Sequence, residues 1–342
     1  MGGNMDYTIK IKDRSEVVVG SASDFLPRLL PDKRVVVVSD TNIDRHYHSL
    51  VNRYEHVLIG LGETSKTLVT ADAIYKQFVS LGVDRSTFVL AIGGGIVTDV
   101  AGFVASTYMR GLDFGFISTS LLGQVDASVG GKNGVNVEGY KNMVGTFTQP
   151  RFVICDVGML RTLPERELRT GMAEMIKAGV IADGGLFSMI ERTPLAELVK
   201  DPDLLREAVY RAIKVKADIV ERDEREHGDR RKLNLGHTLA HAIEKSSSKM
   251  NHGEAVAVGL ALITDAAVRR GILAEADRER ICSLLQRTGF DLTPPVAMRV
   301  LLKAVSKDKK SEGDMLHVVF PTAIGACEVQ SMPIDEFRAM FA

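Results

Sequence analysis

Apolar and polar positions follow one rhythm in the first half of the chain and another in the second. Residues 7–12 alternate and predict a strand, as do residues 16–19. Residues 34–39, RVVVVS, form a continuous β-branched run, the pattern of a strand buried on both faces of a parallel sheet. Asp40-Thr41-Asn42 follows as a loop and cap sequence. Residues 56–61 predict another strand, ending in Gly62-Glu63-Thr64, residues 67–81 an amphipathic helix, and residues 87–92 a strand running into Gly93-Gly94-Gly95. A helical pattern resumes at Ile96 and lasts to about Thr107. Residues 114–118 and 152–155 predict the remaining strands of this half, and the segment between them reads as glycine loops carrying charged side chains. Strands alternating with helices predict a parallel α/β sheet. Ligands of such sheets sit beyond the carboxyl ends of strands, where Asp40, Asn42, Glu63 and Gly93 to Gly95 fall.

After Pro164 the spacing is helical almost to the end, over residues 170–181, 204–220, 233–245, 254–270 and 274–288. A strand pair, 315–320 and 326–329, interrupts it. There is no internal repeat and no low-complexity linker. The expectation is an α/β domain over 1–162 and a mostly helical domain over 163–342, with a cleft between them.

Composition narrows the function. A length of 342 residues suits about two domains, and 45% apolar with 25% charged residues is ordinary for a globular protein with a large core. A net charge of −1 argues against binding nucleic acid through bulk positive charge. Cys155, Cys282 and Cys327 lie far apart with no CxxC pair, which excludes a thiolate zinc site and suggests a reducing compartment. No apolar run approaches the ~20 residues of a membrane span, and the opening MGGNMDYTIK has no apolar signal core. A cytoplasmic protein without membrane or nucleic-acid partners is expected.

Three motifs carry chemistry. A strand, a glycine turn and a helix start bring free backbone N–H groups toward an anion, and the context fits a phosphate or dinucleotide even though GGGxxxD is not GxGxxG. In GMAEMIK, Glu174 and Lys177 stand i, i+3 on one helix face in apolar company, a surface ion pair unless a site claims them. In NLGHTLAHAIE, His237 and His241 stand i, i+4, and His252 opens HGEAVAVG; three of only eight histidines fall within sixteen residues. Two histidines with one carboxylate make a catalytic zinc set, but spacing alone does not choose which two. Scattered cations, Arg110, Lys132, Lys141, Lys177, Lys216, Arg230 and Lys309-Lys310, would serve an anionic ligand in a chain without net positive charge.

LLGQVDASVGGKNGVN, GYKNMVGTF, GMAEMIKAG, RKLNLGHTLAHAIE and HGEAVAVG, in this order, closely resemble the 3-dehydroquinate synthase family over about residues 40–325. The resemblance implies an NAD-binding α/β domain, a helical domain holding zinc or cobalt, and a homodimer. It implies the conversion of 3-deoxy-D-arabino-heptulosonate 7-phosphate to 3-dehydroquinate and phosphate: hydride passes to NAD, phosphate leaves, the hydride returns, and an internal aldol step closes the carbocycle. By motif, Glu174, His237 and His252 match the metal ligands. Asp40, Asn42, Glu63, Lys66, Gly94, Gly95, Asp99, Thr119, Ser120 and Leu122 match NAD contacts, with Lys132 and Lys141 beside them. Asp126, Lys132, Lys141, Asn142, Lys177, Lys216, Arg230, Asn234 and His241 match substrate contacts, and Arg110 matches a residue reaching the phosphate in the partner subunit. Asp308 to Lys310 also match. Ser120 and Asn133 replace more frequent threonines and remain polar. The alternatives are another sugar phosphate cyclase and a metal-dependent polyol dehydrogenase of the same fold.

Overall fold

A computed structural model describes residues 6–308 and 315–341, and the chain divides into two compact units, Met1–Leu168 and Arg169–Ala342. Lys309 and Lys310 lie outside the described residues.

The first unit is a sheet with helices on it. Its elements are β1 (Tyr7–Ile11), β2 (Ser15–Val19), α1 (Ala22–Leu29), β3 (Val35–Asp40), α2 (Thr41–Val51), β4 (Glu55–Ile59), α3 (Leu68–Ser80), β5 (Phe88–Gly93), α4 (Gly95–Thr107), β6 (Phe114–Ser118), β7 (Lys132–Val137), β8 (Tyr140–Phe147) and β9 (Phe152–Cys155). Among the described residues seven strands form one sheet in the order β1-β2-β9-β6-β5-β3-β4, parallel except where β1 pairs with β2. Val36, Val37 and Val38 of β3 are fully buried, as their β-branched run predicts, each contributing about 1.5–3 kcal/mol. Phe88 and Phe152 stack at 5.7 Å between centroids in the same core.

Two predicted features differ. The glycine-rich segment after β6 is not loop throughout: β7 and β8 form an antiparallel hairpin. The glycines there permit close packing rather than breaking the strands; a Cβ on Gly145 of β8 would lie 2.3 Å from the Asn133 carbonyl oxygen on β7, and one on Gly134 would lie 2.9 Å from the Val144 carbonyl oxygen. Asp40-Thr41-Asn42 is not a loop but the start of α2, whose N-terminus Asp40 caps.

The second unit comprises α5 (Glu165–Ala182), which begins in the first unit, then α6 (Gly184–Arg192), α7 (Leu195–Leu198), α8 (Pro202–Arg222), α9 (His237–Ser246), α10 (His252–Arg269), α11 (Glu275–Arg287), α12 (Met298–Asp308), the antiparallel pair β10 (Met315–Ala323) and β11 (Ala326–Pro333), and α13 (Ile334–Ala339). The helix predicted over 233–245 starts only at His237. A 3₁₀ turn, Asp229–Asn234, precedes it, and Gly236 breaks the path at φ +77. A side chain at Gly236 would be strained and its Cβ would stand 2.8 Å from the Leu260 nitrogen, so glycine lets α9 and α10 pack backbone to backbone. No helix among the described residues is long and apolar enough to cross a membrane.

Candidate active site

In the first unit the chain leaves β3 toward β4 on one side and leaves β5 toward β6 on the other. This reversal between neighbouring strands is where open α/β sheets bind ligands, beyond the carboxyl ends. Asp40 ends β3, with Asn42 in the first turn of α2; Gly93 ends β5, and Gly94 and Gly95 open α4. Asp40 Oδ1 accepts the N–H groups of Asn42 and Ile43 at 2.8 and 2.9 Å. Thr119 donates its N–H to the Gly93 carbonyl at 2.9 Å, drawing the end of β6 to the turn. A Cβ on Gly94 would meet Ser120 Oγ at 3.0 Å, so the turn stays bare against Ser120. Leu122 leads into a π-helical turn, Gly123–Ala127, that carries Asp126. Lys66 Nζ pairs with Asp99 Oδ2 at 2.5 Å, joining the segment after β4 to α4. Lys132 opens β7; Lys141 and Asn142 stand exposed on β8, Asn142 at φ +53. Arg110 ends an irregular turn in which Met109 and Arg110 both have left-handed backbones, φ +49 and +70.

In the second unit Glu174, His237 and His252 each offer one donor atom, all within 4.8 Å of one another. Glu174 Oε1 lies 3.2 Å from His252 Nε2 and 3.5 Å from His237 Nε2. Each histidine is oriented from behind: His237 Nδ1 is 3.2 Å from the Leu235 carbonyl, and His252 Nδ1 is 3.3 Å from Glu244 Oε1. Such outer partners fix the tautomer of metal-binding histidines. Donation from Nδ1 leaves the lone pair of His237 Nε2 facing a carboxylate, and two acceptors aimed at one point are resolved by a shared cation. The donor set therefore fits a divalent metal. Burial would raise the Glu174 carboxyl, but Lys177 and the two histidines outweigh it and hold the group well below its usual range. Burial, then the Lys177 charge, pushes His237 down to about 3 despite Glu174. Burial would lower His252 too, but its contacts with Glu174 and Glu244 raise it to about 9.

Lys177 links this cluster to the turn before α9. Its Nζ sits 2.5 Å from Glu174 Oε2 and donates to the Leu233 carbonyl at 2.7 Å. That turn carries buried Arg230, whose guanidinium donates to the Glu224 carbonyl, and Asn234, whose amide donates to Glu226 Oε1 at 2.5 Å. His241 is exposed one turn beyond His237, ring centroids 5.4 Å apart. Lys216 is half-buried on α8. Sequence reading missed two orienting groups. Glu244 shares the α9 face with His237 and His241, so helical spacing could have flagged it. The Leu235 carbonyl carries no sequence signal.

Family models of the 3-dehydroquinate synthase N-terminal and C-terminal regions match residues 56–170 and 171–311. The chain belongs to the 3-dehydroquinate synthase family. A 3-dehydroquinate synthase of Desulforamulus reducens is 40% identical over 339 residues, covering 96% of this chain and 94% of that protein. One from Pelobacter propionicus is 39% identical over 318 residues, covering 90% and 89%. Among solved structures, a 2-epi-5-epi-valiolone synthase of Streptomyces hygroscopicus subsp. jinggangensis, with NAD+ and Zn2+ bound, superposes with a TM-score of 0.86 at 28% identity, over 95% of this chain and 94% of that one. The 3-dehydroquinate synthase family thus spans both units, and its C-terminal region holds the whole Glu174–His237–His252 cluster.

Proposed function

We propose that the protein is a 3-dehydroquinate synthase, a phosphate-eliminating cyclase that converts 3-deoxy-D-arabino-heptulosonate 7-phosphate to 3-dehydroquinate in the shikimate route to aromatic amino acids. The observation that carries the reading is the buried convergence of Glu174, His237 and His252 in a chain about 40% identical to proteins of that name. Glu174, His237 and His252 would hold zinc or cobalt, which supplies Lewis acidity at a substrate hydroxyl. NAD, which the carboxyl ends of β3 and β5 would hold, would supply a reversible hydride acceptor.

The rest falls to the chain's own side chains. Asp40, Asn42, Glu63, Lys66, Asp99, Thr119, Ser120 and Leu122 would line the dinucleotide site, and the N–H groups of Gly94 and Gly95 at the start of α4 would be available to its phosphates. Lys132, Lys141, Asn142, Lys216, Arg230 and Asn234 hold the anionic substrate and offset the charge that develops as phosphate leaves. Lys177 keeps Glu174 ionised and ready to bind. Asp126 and His241 contact substrate hydroxyls. The same reading makes the working form a cytoplasmic homodimer, with the exposed Arg110 turn of one copy serving the phosphate held by the other.

The test is phosphate release from 3-deoxy-D-arabino-heptulosonate 7-phosphate with trace NAD, with and without chelator, while following absorbance for free NADH. Phosphate in large excess over NAD, stopped by chelation and restored by zinc or cobalt, is expected. NADH accumulating in step with substrate loss would instead mark a dehydrogenase. Turnover only with sedoheptulose 7-phosphate or glucose 6-phosphate would mark a different cyclase.

A further inference from the structure

The β7–β8 hairpin contains an irregularity that places one residue between two functional segments. Val135 pairs with Val144, but Val137 pairs with Tyr140. Asn136 alone therefore stands opposite Lys141, Asn142 and Met143. Extra residues on one strand break the ladder locally and re-aim side chains, a device frequent beside active sites. Here the bulge lifts out Lys141 and Asn142, and Asn142 takes a left-handed backbone, φ +53. Its N–H is lost to the ladder and goes to Asn136 Oδ1 at 2.9 Å.

The other end of the same amide points elsewhere. Asn136 Nδ2 donates to Glu63 Oε1 at 2.7 Å, and the Asn136 N–H donates to the Lys66 carbonyl at 2.8 Å. Thr67 adds an isolated parallel bridge to Asn136. The orientation of the amide is dictated by its neighbours: a backbone N–H can only donate and a carboxylate can only accept. Aspartate would match the first and repel the second. Lys66 passes the connection on to Asp99 of α4 through its 2.5 Å ion pair.

We propose that Asn136 is a positioning residue that couples the dinucleotide segment Glu63–Lys66 to the substrate-holding bulge Lys141–Asn142, so that filling either site orders the other. The assignment of ligands to the two segments rests on the function proposed above. The coupling is reciprocal and of ordinary allosteric size: substrate tightens dinucleotide binding by about 5–30-fold, and dinucleotide tightens substrate by the same factor.

The test titrates the full-length, metal-loaded protein with NADH, which cannot take hydride from the substrate, in the absence and presence of saturating 3-deoxy-D-arabino-heptulosonate 7-phosphate. The readout is the ratio of the two dissociation constants. Asn136→Asp keeps the acceptor for Asn142 and sets a carboxylate against Glu63; it should bring the ratio to within about twofold of one. Adding Glu63→Gln supplies the missing donor from the other side and should restore most of the ratio, a rescue that loss of general stability would not produce. Asn136→Ala, with both bonds gone, should show no coupling and no rescue by Glu63→Gln. A ratio unchanged in Asn136→Asp and Asn136→Ala would overturn the proposal, as would a ratio of one in the wild type. In the latter case continued phosphate release would leave the cyclase reading standing, so the two failures are distinguishable.

Discussion

The metal cluster of the second unit and the bulged hairpin of the first are built on opposite plans. Glu174, His237 and His252 come from three helices packed with glycine at the contact, and each donor is locked by a second group before any ligand arrives. The Glu174 side chain is 2% exposed. Lys132, Lys141 and Asn142 are exposed on a two-stranded hairpin; Lys132 sits in the regular ladder opposite Phe147, and the placement of Lys141 and Asn142 depends on a bulge and one amide. The difference suits what each is proposed to hold. A metal ion tolerates errors of only about 0.2 Å in ligand distance, so its donors are worth fixing in a rigid core. An extended anion is held by charges acting over several ångströms, and those charges are better left on an edge where a ligand can enter.

The largest effect should come from the rigid cluster. His237→Ala removes a donor that nothing nearby replaces. Loss of an outer partner costs about 10–100-fold in metal affinity, so loss of the ligand itself should cost more, with turnover down about 10³-fold. Equilibrium dialysis against zinc checks the first and phosphate release the second; zinc bound as tightly as in the wild type would remove the triad from the metal centre. Lys132→Ala should do less. One charge-assisted contact is worth about 1.5–3 kcal/mol, or roughly 10–100-fold in kcat/KM, with melting temperature unchanged because the side chain is exposed. Its penalty should shrink as salt screens the wild-type contact, whereas the His237→Ala penalty should not. Equal salt sensitivity would erase the contrast between the two regions.

Legibility followed the same divide. Strands β3, β5, β6 and β9 were readable because continuous β-branched and aromatic runs have no other comfortable place. The histidines of the cluster were readable as candidate metal ligands, since histidines in apolar helices are rare, but spacing alone did not choose among His237, His241 and His252; the folded chain brings His237 and His252 together with Glu174. Helix α2 was not readable: only Val51 of its eleven residues is buried, so no apolar stripe announces it. Helix α1 was hidden by Pro27 within it. The hairpin was hidden by Gly134, Gly139 and Gly145, which look like loop residues and are there for close packing and the tight turn. Asn136 could not have been found at all, because its meaning lies in Glu63, seventy-three residues earlier.

A loop between α8 and α9 falls between the two plans and decides whether burial or hydrogen bonding does the fixing. It is mostly half-buried, with Arg225, His227 and Gly228 exposed, yet it carries buried Arg230. Asp223 holds it shut, its carboxylate accepting the N–H groups of His227 at 3.0 Å, Gly228 at 2.7 Å and Arg230 at 3.1 Å. Burial would raise this carboxyl, but the converging amides outweigh it and bring it to about 2 from an ordinary 3.8. The sign is that of a depressed acid: the stabilisation is complete above 3.8 and is lost as pH falls through about 2. The protection of the Gly228 and Arg230 amides, relative to their intrinsic exchange rate at each pH, should therefore fall across that window in the wild type. Asp229, which Arg222 and Lys232 hold below its usual value against the effect of burial, titrates nearby, so the comparison with Asp223→Asn isolates the Asp223 share. The variant should exchange faster at neutral pH, lose most of the pH dependence, and raise KM for the anionic substrate by about 2–10-fold, the worth of a weakened charge-assisted bond. Rapid exchange with KM unchanged would mean that packing around Arg230 fixes it as burial fixes Glu174, and that exposed hydrogen bonds only close the loop over it.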